Sequence, residues 1–86
     1  MDIEFDAAKD AANIAKHGVS LALGAFMDMD TAVIDRDDRR DYGEVRFNAL
    51  GRIEGRVYAM TFTVRDAIRI ISLRKANPRE QRRFAR

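Results

Sequence analysis

Three short runs of β-branched, aliphatic and aromatic residues constrain the fold more than any other feature: Val45 to Gly51, Val57 to Val64 and Ala67 to Leu73. Each is too short for an ordinary helix. Turn signals at Glu54 and Gly55 and at Arg65 and Asp66 separate them, so the spacing predicts an antiparallel meander. Turns symmetric about those pairs would fix the register. One face then stacks Phe47, Phe62 and Arg69, next Ala49, Met60 and Ile71, then Gly51, Tyr58 and Leu73. This is the expected core face, with Arg69 snorkelling out along Phe62. The other face stacks Arg46, Thr63 and Ile68, next Asn48, Thr61 and Ile70, then Leu50, Ala59 and Ser72, then Arg52, Val57 and Arg74. It is half polar and rimmed by arginines.

The last strand leads into a cationic corner at Arg74 and Lys75 and then a helix start. Asn77 is the expected N-cap, Pro78 takes the first helical position, and Glu80 stands three residues after the cap. Arg79, Arg82, Arg83 and Arg86 make this helix polycationic, with Phe84 as its one large apolar anchor.

Towards the front, Ile3 to Asp6 reads as an edge strand, and Asp6 caps a helix over Ala7 to His17. Its apolar stripe is Ala7, Ala11, Ile14 and Ala15, and Gly18 closes it. Ser20 caps a second helix from Leu21 to about Met27, expected to bury Leu21, Phe26 and Met27. Thr31 to Ile34 is a further strand, and the charged loop from Asp35 to Glu44 is expected to be the most solvated segment. The whole reads as one α+β domain over residues 1–86: N-terminal helices packed on a small antiparallel sheet, followed by a basic C-terminal helix.

The net charge of +2 hides an asymmetry. Residues 1 to 44 hold 11 acidic and 5 basic side chains, net −6, whereas residues 45 to 86 hold 3 acidic and 11 basic, net +8. Of 16 basic residues 13 are arginine, whose planar fork suits phosphate and carboxylate. The split favours a nucleic-acid or acidic protein partner, or else the two halves neutralise each other across the fold. A chain of 86 residues buries only about 60% of its unfolded surface, and without cysteine it has neither a disulfide nor a thiolate metal site. With no apolar run near the roughly 18 residues of a membrane span, a cytoplasmic protein is expected.

No spacing in the chain suggests a metal site, a Gly-rich phosphate loop or a Ser, His, Asp arrangement, and no cofactor is expected. Any chemistry falls to His, Glu and Arg: proton transfer and stabilisation of phosphate charge. Cleavage of RNA through the ribose 2′-hydroxyl needs only a base, an acid and cations. His17 titrates near neutrality and is the natural acid or base, or simply a cation at a helix end. Glu44 and Arg46 lie two apart and face one side, as a base with its cation or as a surface ion pair. Arg74, Lys75, Arg79 and Arg83 are phosphate contacts or a solvated basic surface.

Three ordered segments, FDAAKDAANIAKHGVS, YGEVRFNALGRIEGRVYAMTFTVRD and IRIISLRKANPREQRRF, resemble the BrnT toxins of type II toxin–antitoxin pairs over nearly the whole chain. The most specific matches are Lys16, His17, Gly18 and Val19, and the run from Arg69 to Ser72 into Arg74, Lys75 and Ala76. The resemblance implies a RelE-like fold and metal-independent endoribonuclease activity. It also implies neutralisation by a BrnA-like antitoxin with a DNA-binding dimerisation domain, in a heterotetramer that reaches operator DNA only through the antitoxin. Carried over residue by residue, it covers Lys16, His17, Glu44, Arg46, Arg65, Arg74, Lys75, Glu80 and Arg83 as matching polar positions; the expected catalytic set is His17, Glu44, Arg46, Arg65 and Arg74, with Lys16, Lys75, Arg83 and, from the basic segment alone, Arg79 on RNA. Phe84 stands where the family often has Tyr. The rival reading from charge is a non-catalytic basic module that docks an acidic or amphipathic partner.

Overall fold

A computed structural model describes residues 1–86. In chain order it contains β1 (Ile3–Glu4), α1 (Ala7–His17), a 3₁₀ helix (Leu21–Phe26), β2 (Val33–Arg36), β3 (Phe47–Ile53), β4 (Arg56–Val64), β5 (Ile68–Lys75) and α2 (Pro78–Phe84). The strands form one sheet in the order β1-β5-β4-β3-β2. β1 runs parallel to β5, so the sheet is mixed and not purely antiparallel; every other pairing is antiparallel. No helix is long and apolar enough to cross a membrane.

The first hairpin forms in the expected register. Glu54 and Gly55 both take positive φ, +48° and +81°, as a two-residue turn of matching twist requires. Ile53 then pairs with Arg56, and the ladder runs to Phe47 opposite Phe62. The second hairpin departs from expectation twice. Its turn holds three residues, because Val64 pairs with Ile68, and this single extra residue exchanges the faces of β5. A bulge between Phe62–Ile70 and Thr61–Ser72 then leaves Ile71 without a partner and restores the original parity. Ile70 is therefore the buried residue in place of Ile71, and Arg69 leaves the core face to meet Glu4 at 3.6 Å. Arg74 moves inward and faces Ala59 where Val57 was expected.

On the core face Leu21, Met60, Ile70 and Leu73 are fully buried, with Ala49, Tyr58 and Phe62 around them. Gly24 lets the 3₁₀ helix lie directly on this layer: a Cβ there would meet Ile70 Cδ1 at 2.5 Å. The short helix is 3₁₀, and Phe26 is 71% exposed, so of its three expected core residues only Leu21 and Met27 are inside.

Asp6 and Gly18 bound α1 as expected, with Gly18 in the left-handed region at φ +75°. The helix does not, however, turn its alanine stripe inward. Ala7, Ala11 and Ala15 are exposed and Ile14 is 46% exposed. Asp10, Asn13 and His17, spaced along one helix face, point the other way. Asn13 donates to Leu73 O at 2.8 Å and accepts from Leu73 N at 3.1 Å, so it completes the edge of β5 beyond the reach of two-residue β1. Asp10 accepts from Leu21 N at 2.7 Å and from the Ser20 hydroxyl at 2.9 Å. Backbone hydrogen bonding, not apolar burial, decides which face of α1 is inside.

α2 lies against the opposite side of the sheet. Phe84 packs on Leu50, Val57 and Ala76, and Arg52 sits over its ring at 5.2 Å. This covers only the Leu50 and Val57 end of the face, so the floor formed by Asn48, Thr61 and Ser72 stays open.

Candidate active-site cleft

The uncovered floor opens into a cleft of about 390 Å³ between α1, the sheet and α2. β4 and β5 set Thr61 opposite Ser72 and Ala59 opposite Arg74, and β3 adds Asn48 and Leu50 beside them. Lys16 and His17 enter from the last turn of α1, while Glu80 and Arg83 enter from α2.

Each part of this arrangement has a local cause. The Asn77 side chain accepts from Glu80 N at 2.8 Å, and Glu80 returns the bond to Asn77 N at 3.0 Å, completing the expected capping box. The same carboxylate accepts both arms of Arg74, at 2.6 and 3.0 Å. Helix capping and guanidinium orientation thus share one side chain. Arg74 holds the Glu80 carboxyl below its ordinary pKa, and Glu80 raises that of Arg74. Arg83 reaches across to Asp35 of β2, an ion pair that joins the basic half of the chain to the acidic half.

His17 has its pKa lowered, first by desolvation and then by the charges of Lys16 and Arg74. Desolvation and the neighbouring cations thus favour the neutral imidazole, the form in which a histidine accepts a proton.

The structure divides the expected site residues between different places. His17, Lys16, Arg74 and Arg83 share the cleft. Glu44, Arg46 and Arg65 form a separate cluster outside this cleft, where Glu44 accepts from Arg46 at 3.0 Å and lies 3.8 Å from Arg65, and only Arg46 reaches the neighbouring surface beside Arg39. Lys75 is exposed and in register with Tyr58, and so belongs to neither group. Arg79 lines a shallow groove of about 260 Å³ on α2 with Arg82, Arg83 and Arg86.

Sequence reasoning missed Arg39, which enters the cleft from the charged loop. That loop is not uniformly solvated, because the Asp37 side chain is only 1% exposed. Asp37 accepts from Arg39 Nε at 2.9 Å, Arg39 Nη2 at 2.7 Å and the Tyr42 hydroxyl at 3.2 Å. The Arg39 bond is the main reason that its carboxyl lies far below the ordinary carboxylate range. The available signal was an Asp and an Arg two apart, but only the fold buries the first and aims the second.

No curated protein matches the chain. The family model for the BrnT ribonuclease toxin of type II toxin–antitoxin systems matches residues 5–80, a span holding all of α1, the whole sheet from β2 to β5 and the start of α2. With most of its length and almost all of the cleft inside that match, the chain belongs to the BrnT family of ribonuclease toxins.

Proposed function

We propose that this toxin is a metal-independent endoribonuclease acting in the cytoplasm, with His17 as the base. The observation that carries the reading is that one cleft brings the imidazole of His17 together with Arg74, Lys16, Arg83 and Arg39. His17 takes the proton of a ribose 2′-hydroxyl, and the 2′-oxygen forms a bond to the adjacent phosphorus. The bond to the 5′-oxygen breaks, and that oxygen leaves with a proton from Lys16. The products are a 2′,3′-cyclic phosphate and a free 5′-hydroxyl. Arg74, oriented by Glu80, bears on the charge that grows on the phosphoryl oxygens. Glu44 is engaged by Arg46 and Arg65, which favours His17 over Glu44 as base and leaves those two arginines as binding residues at the edge of the substrate path.

A BrnA-like antitoxin would neutralise this activity by occlusion, with acidic side chains on Arg74 and on the arginine groove of α2, where Arg79 lies. The assembly would be a heterotetramer held together by the antitoxin's DNA-binding dimerisation domain. The groove on α2 equally suits the rival reading of a non-catalytic docking module.

Purified protein incubated with single-stranded RNA in the presence of a chelator separates the two readings. We expect cleavage to 2′,3′-cyclic phosphate ends, and a loss of about 10²–10⁴-fold in His17→Ala. Cleavage that vanishes with chelator would overturn metal independence. Folded protein that binds RNA without cutting it would favour the docking module. Arg74→Glu is expected to weaken RNA cleavage and antitoxin affinity together.

A further inference from the structure

A second cleft, of about 400 Å³, opens beside the first and shares its Arg39, Thr61 and Ser72 side chains. The remaining walls are unlike those of the catalytic cleft. They come from the charged loop and from Arg46 and the bulged Ile71, and they include no imidazole or lysine. An aromatic ring stands in this wall with two guanidinium groups over it: Arg46 at 4.2 Å and Arg40 at 5.0 Å from the Tyr42 centroid.

The wall is braced from below. Asp37, buried at 6% exposure, holds the Tyr42 hydroxyl and the backbone N–H and two guanidinium nitrogens of Arg39 at once, and its own backbone N–H donates to Arg46 O at 2.8 Å. A carboxylate committed in this way orients its partners and offers nothing further to a ligand. Arg39 is 76% exposed, and its Nη1 has no partner in the protein, so its fork is fixed in direction and free to bind where the two clefts meet. Ser72 lies on the shared floor with an uncommitted hydroxyl, able to donate to or accept from the edge of a base.

We propose that the second cleft is a nucleotide subsite, which takes the nucleoside next to the scissile phosphate of a single-stranded RNA. This rests on the ribonuclease reading of the first cleft and adds to it what the enzyme grips beside the bond that it cuts. Arg39 holds the phosphate at the junction. The base stacks on a guanidinium that the Tyr42 ring supports from behind, since guanidinium planes stack on nucleobases and lose their fixed orientation without the ring. A paired base has both its faces occupied by its neighbours, so the subsite selects unpaired RNA. Asp37 is a positioning residue that acts through Arg39 and Tyr42.

The test compares a short single-stranded RNA with matched oligonucleotides that carry an abasic ribose on the 5′ or the 3′ side of the cleaved bond. Wild-type protein should cleave the intact RNA about tenfold or more better, in kcat/KM, than one of the two abasic substrates, by the worth of one stacked base. Tyr42→Ala should cleave both at the same low rate. Tyr42→Phe keeps the ring and should keep the preference, while the loss of the hydroxyl bond to Asp37 loosens Arg39 and raises KM for both. Asp37→Asn should likewise raise KM with kcat nearly unchanged, an effect that a general loss of folded protein would not produce. Tyr42→Ala that is folded and still prefers the intact RNA by the wild-type factor would overturn the subsite and leave the ribonuclease reading standing. Wild-type protein that neither cleaves RNA nor binds its uncleavable 2′-deoxy analogue would overturn both.

Discussion

The two faces of the central sheet use the same strands for opposite purposes. On one side alternate residues are apolar and fully enclosed: Met60, Ile70 and Leu73 meet Leu21 of the 3₁₀ helix, and no charge enters. On the other side the intervening residues Asn48, Thr61, Ser72 and Arg74 stand under an open cleft, and the arginines around them are held by carboxylates, Arg74 by Glu80, Arg39 by Asp37 and Arg83 by Asp35. Alternation along a strand thus separates stability from chemistry by one residue. Adjacent positions should respond differently to substitution, and that contrast can be tested.

The largest effect is expected at Leu73, which is 0% exposed. Leu73→Ala should lower unfolding free energy by about 2–5 kcal/mol in a denaturant titration, a large part of the roughly 5–15 kcal/mol available to a domain. Ser72→Ala, one residue away on the open face, should stay within about 0.5 kcal/mol of wild type. Equal losses at both positions would mean that the two faces of β5 contribute alike to stability.

Arg74→Lys keeps the charge but loses the fork that Glu80 grips. Cleavage should fall on the order of a hundredfold, about 2.7 kcal/mol of barrier, with far less change in melting than Leu73→Ala. A rate near wild type would mean that a point charge is enough and that the Glu80 clamp has no bearing on the chemistry.

Asn13 links the two regions, since it rises from the helix that presents His17 and seals the edge of β5 behind Arg74. Asn13→Ala leaves the Leu73 N–H and C=O unpaired, at a cost of about 1–3 kcal/mol for each buried group left without a partner. Hydrogen exchange should find the Leu73 amide newly exposed while amides in β3 remain protected.

The smallest effect lies in the pH profile. His17 has its pKa below the ordinary 6.5, so kcat/KM should hold its plateau down to below that pH and fall as the imidazole takes a proton. The sign for stability agrees: the unfolded chain binds this proton first, so lowering the pH through 6.5 weakens the fold slightly. Lys16→Gln removes one of the charges that depress the value and should move the acid limb upward by a fraction of a unit, while lowering the plateau. A limb unmoved by this change would leave desolvation and Arg74 as its sources.

Lys16, His17, Arg74 and Arg83 were legible as candidates because helix ends and strand exits can be read from spacing. That they meet, and that Glu44 and Arg65 do not join them, was not legible, because the meeting depends on how far β5 has slid along β4. The inward face of α1 departs from its apolar stripe for a related reason. Apolar periodicity identifies the inward side only when burial of apolar area outweighs backbone hydrogen bonding, and a stripe made mostly of alanine has little area to bury.

Neighbours along the chain settle the local features. Asp6 and Gly18 bound α1, Glu54 and Gly55 set the register of β3 on β4, and Asn77, Pro78 and Glu80 start α2. Each of these is a contest among conformations of a few residues, settled by φ preference or by a hydrogen bond three or four positions away. The bulge at Ile71, the hold of Asn13 on a strand 60 residues away, and the burial of Asp37 that turns Arg39 towards the cleft come from long-range packing. In each case backbone or charged groups had to find partners far along the chain, and the cost of leaving such groups buried and unpaired outweighs any local preference.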